Sequence, residues 1–480
     1  MQPVVKTFGN KAFRMTANQV SSPVINRRKI VEQEKKMMIR MALRFTGTFL
    51  LLLCIVLDAG AATHLAPLKK PKKGDVIFFH PDGTSVSHWT AARMTIAGPD
   101  GTINWDRLPN MAVYRGHMKT SLAATSHGGA TTHAFGVKVE PDSYGMDRDR
   151  PLTALSGKPM SIMKEALESG IAVGVVNSGN IHEPGTGVFL ASSKSRWNGQ
   201  DIARQIVFSG AQVILSGGER WLLPEGVKGR HGTGERTDGK DLIAEAKKLG
   251  YTVVYTREEL AALPGDTKRI LGVFAHHHTF HDQKEERLRE QGLPLYEPDA
   301  PTVAEMTAAA LEILSRSGRR FLLVVEEEGT DNFGNVNNAA GCIEALRRAD
   351  AVYGIARDYL GRHPDTLLLT AADSDASGLE VIAVPPDLAT KPLSRVTRNG
   401  APLDGRDGTG SLPFLAQPDQ FGQSLPFGIA WSGFEDSAGG ILARAEGLNA
   451  EALQSGSCDN SDIYRLMYLT LFGRPADSGK

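Results

Sequence analysis

Five short apolar runs, spaced along the chain and separated by helix-like stretches, constrain the fold more than any other feature. They are Val76-Ile77-Phe78-Phe79, Ile171 to Val176, Val213-Ile214-Leu215, Phe321 to Val325 and Thr366 to Thr370. Each is continuously apolar rather than alternating, as expected of a strand buried on both faces. Between them lie helical patterns at Met160 to Ser169, Val303 to Ser315 and Ala339 to Tyr359. Strand and helix in turn predict an α/β fold: a mostly parallel central sheet flanked by helices on both faces. No internal repeat interrupts this order. Residues 222–300, charged and rich in glycine, and 397–428, rich in Gly, Pro and Gln, read as surface insertions.

Three of the strands run into acidic loops, at Asp82, at Glu326 to Asp331, and at Asp373 and Asp375. In an open α/β sheet the C-terminal strand ends form the ligand crevice, so these carboxylates converge where chemistry is expected.

The chain carries 54 basic and 54 acidic residues among its 480, but the two signs are unevenly divided. Residues 1–61 hold ten Lys and Arg against Glu32, Glu34 and Asp58, which leaves residues 62–480 with a net charge of −7. Arg40 and Arg44 precede the apolar run Phe45 to Leu57, and Ala59-Gly60-Ala61 follows it. That order is the pattern of a secretory signal peptide. The run of 13 residues is shorter than the roughly 20 of a membrane-spanning helix, so no stable span is expected after processing. Met37, Met38 and Met41 are alternative starts. The domain expected to fold is therefore 62–480, in a periplasmic or secreted protein. Its acidic balance argues against nucleic-acid binding by phosphate neutralisation. Beyond the export segment the cysteines are Cys342 and Cys458, neither in a Cys-x-x-Cys pattern. A disulfide and a pair of buried thiols are both compatible with that.

The segment Thr125-Ser126-His127-Gly128-Gly129 places a serine where a helix begins, with unpaired backbone N–H groups that favour an anion. Taken alone, Ser126 reads more readily as a simple helix cap. Glu326, Glu327, Glu328, Asp331 and Asn335 follow one buried strand, and Asp373, Ser374 and Asp375 follow another. Oxygen-rich segments of this kind suit hard cations, or else a solvated acidic loop.

Taken in order, these blocks resemble the alkaline phosphatase family from about residue 74 onward. Val76 to Gly83 resembles its first strand and places its metal-binding Asp on Asp82. Ser126, separated by nine residues from Gly136-Val137-Lys138, has the spacing of its nucleophilic Ser. Glu326, Asp331 and Asp373 match its acidic metal ligands, and the run from Ile181 places its phosphate-binding Arg on Arg196, a residue otherwise readable as a surface arginine beside Trp197. The resemblance implies hydrolysis of small phosphate monoesters through a phosphoserine, with two or three divalent ions and, as is common in the family, a homodimer.

The departures from the pattern are as informative. The family's three metal-binding histidines fall here on Asn335, Ser374, and Asp436 or Ser437, with Asp436 favoured by spacing. Thr125 precedes the nucleophile, and the Thr of the third metal position becomes Gly185, with Glu183 and Thr186 as substitutes. The replacements keep side-chain oxygens, so an oxygen-rich site is expected, with Mg²⁺, Ca²⁺ or Mn²⁺ preferred over Zn²⁺. Phosphodiester or sulfate ester hydrolysis, and a non-catalytic protein that binds phosphate or a cation, are the alternatives. The run His276-His277-His278-Thr279-Phe280-His281 offers imidazoles from outside the usual positions, and His127 lies beside the proposed nucleophile.

Overall fold

In a computed structural model of the chain, the described residues are 63–477. The export segment inferred at 1–61 lies outside them. All five apolar runs are strands, at Asp75–Pro81 (β1), Ala172–Asn180 (β3), Val213–Gly217 (β4), Phe321–Glu327 (β7) and Thr366–Thr370 (β8). With Asn110–Arg115 (β2), Thr252–Val254 (β5), Ile270–Val273 (β6), Leu442–Gly447 (β9) and Gly456–Asp459 (β10), they form one sheet in the order β10-β2-β9-β8-β1-β7-β3-β4-β6-β5. From β8 to β5 every pairing is parallel, and β9 joins antiparallel between β8 and β2.

The continuous apolarity of β1 has a direct cause. Val76 and Phe78 enter the core on one face of the sheet, and Ile77 and Phe79 enter the core on the other. Side chains alternate along a strand, so a strand covered on both sides has no polar position to spare. The three helices expected from periodicity are Ile162–Glu168, Val303–Arg316 and Ala339–Arg362. Val303–Arg316 starts with a reciprocal cap, in which Thr302 and Glu305 each bond the other's backbone N–H.

The insertions need correction. Residues 222–300 are not only surface loops, because β5 and β6 within them complete one edge of the central sheet. These strands have three and four residues, too short to stand out against the charged sequence around them. Residues 397–428 contribute to a small antiparallel sheet with Leu379–Ala383 and Pro426–Trp431. Cys342 and Cys458 are free thiols buried in the cores on opposite faces of the sheet. Among the described residues, no helix is long and apolar enough to cross a membrane.

Candidate active site

The site is assembled at the C-terminal ends of β1, β7 and β8. Asp82 follows β1 and is fully buried, and Gly83 turns the chain at φ +64°. A Cβ at Gly83 would sit 2.6 Å from Asp331 Oδ1, so only glycine allows that carboxylate so close to the turn. β7 delivers Glu326, and the short helix Gly329–Asn335 delivers Asp331 and Asn335 one turn apart. Asn335 Nδ2 donates to both Asp331 oxygens, at 3.0 and 3.1 Å, and to Asp436 Oδ1 at 3.2 Å. Asp436 arrives from far along the chain because Asp436–Ser437 pairs antiparallel with Asp375–Ala376. Ser437 instead donates to the Asp375 carbonyl, so Asp436 is the residue of the pair that faces Asn335. Ser374 donates to Asp373 Oδ1 at 3.4 Å and lies near the Asp436 carboxylate.

Ser126 opens the helix Ser126–Phe135, capped by Thr125, whose side chain accepts from the Gly128 N–H at 3.3 Å. Ser126 lies near enough to Asp82 to help hold that carboxylate in its charged form. Gly129 lies against Asp373, where a Cβ would come within 2.4 Å of the Asp373 Cβ. The serine, Asp82 and Asp373 therefore share one small volume.

Arg196 Nη2 donates to Glu183 Oε2 at 2.9 Å, and His278 Nε2 lies 3.1 Å from the other oxygen, Oε1. Glu183, expected as a cation ligand, thus has both oxygens engaged, and it holds Arg196 instead. Arg196 is only partly buried by Trp197, over whose ring its guanidinium sits at 5.3 Å, and its Nε is buried without a partner. His278 reaches this region with His277 packed against its ring, whereas His276 faces the Thr233 carbonyl and His281 the Pro294 carbonyl. His127 faces Asp142 at 3.4 Å, and His133 is buried against the Tyr114 hydroxyl at 2.7 Å.

Gly185 packs directly on Glu326. A Cβ there would fall 1.9 Å from Oε1, and Asn177 Nδ2 bonds Oε2 from the other side. Asn177 also donates to Thr186 Oγ1 at 2.9 Å. Gly185→Ala is expected to destabilise the protein by about 1–3 kcal/mol by forcing the carboxylate aside. Urea unfolding measures this, and an unchanged midpoint would contradict the contact.

Two residues absent from the expected set belong to the cluster. His80, Asp82 and Glu326 present ligand atoms within 4.8 Å of one another, as do Asp82, Glu328 and Asp331. Their signals in the sequence are modest. His80 shares a strand face with Asp82 two residues on, and Glu328 ends the acidic run that contains Glu326. Glu327 points the other way, accepting from Ser178 Oγ at 2.8 Å.

Packing so many acids together raises most of their pKa values. Burial pushes Glu326 up to about 8. Burial, then the neighbouring carboxylates, hold Glu328, Asp331 and Asp373 well above the usual range. Asp82 is the exception: burial opposes its charge, but the bond from His80 outweighs that and holds it down to about 2. Asp82 Oδ2, Glu326 Oε1, Glu328 Oε2 and Asp373 Oδ2 are buried with no hydrogen-bond partner. Unpaired buried carboxylate oxygens are costly, and divalent cations would satisfy them. The donor set fits such ions.

The alkaline phosphatase family model matches residues 73–384. The chain belongs to the alkaline phosphatase family. It is 28% identical over 356 residues to the tissue-nonspecific alkaline phosphatase of Gallus gallus, covering 65% of either chain. It is 27% identical over 340 residues to the membrane-bound alkaline phosphatase of Bombyx mori, covering 62% of this chain and 60% of that one. The chain thus spans somewhat under two thirds of the length of these relatives. The fold is similar to that of the Thermus thermophilus alkaline phosphatase, with a TM-score of 0.68 at 23% identity, covering 86% of this chain and 94% of that one. The enzyme from a psychrophilic Shewanella gives 0.61 at 21%, covering 83% and 99%. Membership of this family implies divalent metal ions, and the acidic clusters are where this member could hold them.

Proposed function

We propose that the protein is an exported, divalent-cation-dependent phosphomonoesterase that acts through a phosphoserine on Ser126. The observation that carries this reading is a helix-initial serine beside Asp82, in a pocket of buried carboxylate oxygens without partners. Asp82, Glu326, Glu328, Asp331, Asn335, Asp373, Ser374 and Asp436 would hold the cations. Bound there, such ions would offset phosphate charge and make the serine hydroxyl and a water more acidic.

Ser126 Oγ attacks phosphorus and the substrate alcohol leaves; water then attacks the phosphoserine and releases inorganic phosphate. The unpaired N–H groups of the first helical turn favour the anionic phosphoryl group beside Ser126. Arg196, held by Glu183 through Nη2, would contact phosphoryl oxygens through its remaining guanidinium N–H groups. A monoester offers such a clamp more free anionic oxygens than a diester does. Chelator-stripped protein is expected to regain p-nitrophenyl phosphatase activity with Mg²⁺, Ca²⁺ or Mn²⁺, and to act far more slowly on the bis ester. Restoration by Zn²⁺ alone would defeat the oxygen-site reading, and equal rates on both esters would defeat monoester specificity.

A further inference from the structure

The positions where the family resemblance leads one to expect histidine hold Asn335, Ser374 and Asp436, yet one imidazole enters the carboxylate cluster from a different direction. We propose that His80 is a metal ligand. It makes one cation position a mixed nitrogen and oxygen site for a first-row transition ion such as Mn²⁺, while the side of the pocket bearing Asn335 and Asp436 remains oxygen-only. The proposal rests on the reading of the pocket as a divalent-cation site.

The sheet puts His80 in place. β1 and β7 pair in parallel with His80 opposite Glu326, so the two side chains stand side by side on one face, and Asp82 lies two residues further on the same side. Ligand atoms of the three lie within 4.8 Å of one another. Ligands on one ion at bond lengths of about 2.0–2.2 Å can be at most roughly 4 Å apart, so closure by under about 1 Å completes the site. His80 is fully buried, with Nε2 3.2 Å from Asp82 Oδ1 and 3.6 Å from Asp373 Oδ1. Its Nδ1, Asp82 Oδ2 and Glu326 Oε1 are buried without partners. Phe78 and His133 pack against the imidazole at ring-centroid distances of 6.1 and 5.6 Å, which holds its orientation. Among the described residues His133 belongs to neither group of convergent ligand atoms, and its Nε2 is bonded to the Tyr114 hydroxyl. Imidazole is a good ligand for first-row transition ions, whereas carboxylate and amide oxygens alone suit harder ones.

The test uses metal-depleted full-length protein titrated with Mn²⁺ alone and examined by pulsed electron paramagnetic resonance for ¹⁴N coupling from a bound imidazole. Wild type is expected to show the coupling. His80→Gln is expected to lose it and to bind Mn²⁺ roughly tenfold or more weakly, with Mg²⁺ affinity changed much less. Mn²⁺ bound without nitrogen coupling, or coupling that persists in His80→Gln, would overturn the assignment while leaving the cation site standing. Absence of any Mn²⁺ binding would overturn both. If His80→Gln does not fold, anomalous scattering from a wild-type crystal soaked in Mn²⁺ decides the matter by placing the ion within bonding distance of the His80 ring or away from it.

Discussion

Ser126→Ala is expected to lower phosphate monoester turnover by at least about 10³-fold and to abolish labelling of the acid-quenched protein by ³²P from substrate. The fold should survive. The helix is capped by the Thr125 side chain, not by Ser126, so the substitution removes a hydroxyl without removing the cap. What is lost is the oxygen that would attack phosphorus beside Asp82. Circular dichroism and divalent-ion binding by calorimetry serve as controls. Turnover within tenfold of wild type, with both controls unchanged, would remove Ser126 as nucleophile and leave a water-mediated reaction to be found.

The second large effect concerns the protein stripped of divalent ions. Glu326 titrates at about 8 in the fold and near 4.5 when unfolded, so between these values the folded state binds more protons. Stability must therefore fall as pH rises through that window, by the order of several kcal/mol from this group. Asp82 has the opposite sign: held down to about 2 in the fold, it contributes stability above pH 4 that disappears on acidification. The metal-free protein is accordingly expected to be most stable near pH 4–5 and to lose ground steadily up to pH 8. At pH 8, added Mg²⁺ or Mn²⁺ should restore the loss, because ions that bind only the folded state stabilise it by mass action. Thermal unfolding from pH 4 to 9, with and without ions, measures both slopes. A metal-free protein that gains stability from pH 5 to 8 would contradict the burial of Glu326 among the neighbouring carboxylates.

Apolar runs and helical periodicity made the middle of the sheet legible, but not its margins. β2 alternates buried and exposed residues, with Met111, Val113 and Arg115 facing out. β9 relies on Ala443 and Ala445 for its buried contacts, so neither strand presents a strong apolar run. The acids were legible for a related reason: each follows a recognisable buried strand, and strand ends on one side of a parallel sheet converge. Asp436 was harder, because a two-residue antiparallel pairing brings it in. The division between the two inserted segments also depended on distant partners, since β5 and β6 count as strands only through β4.

By itself the sequence determined which segments would be buried strands, which helices would cover them, and that acidic side chains would gather at one end. Those properties follow from the local spacing of apolar residues and need no knowledge of partners. The tertiary structure alone decided that Ser126 lies beside Asp82, that Glu183 is committed to Arg196 and His278, and that His80 stands beside Glu326. Each depends on register or approach between segments distant in the chain. Register is set by the packing of whole faces against one another, which no local pattern encodes.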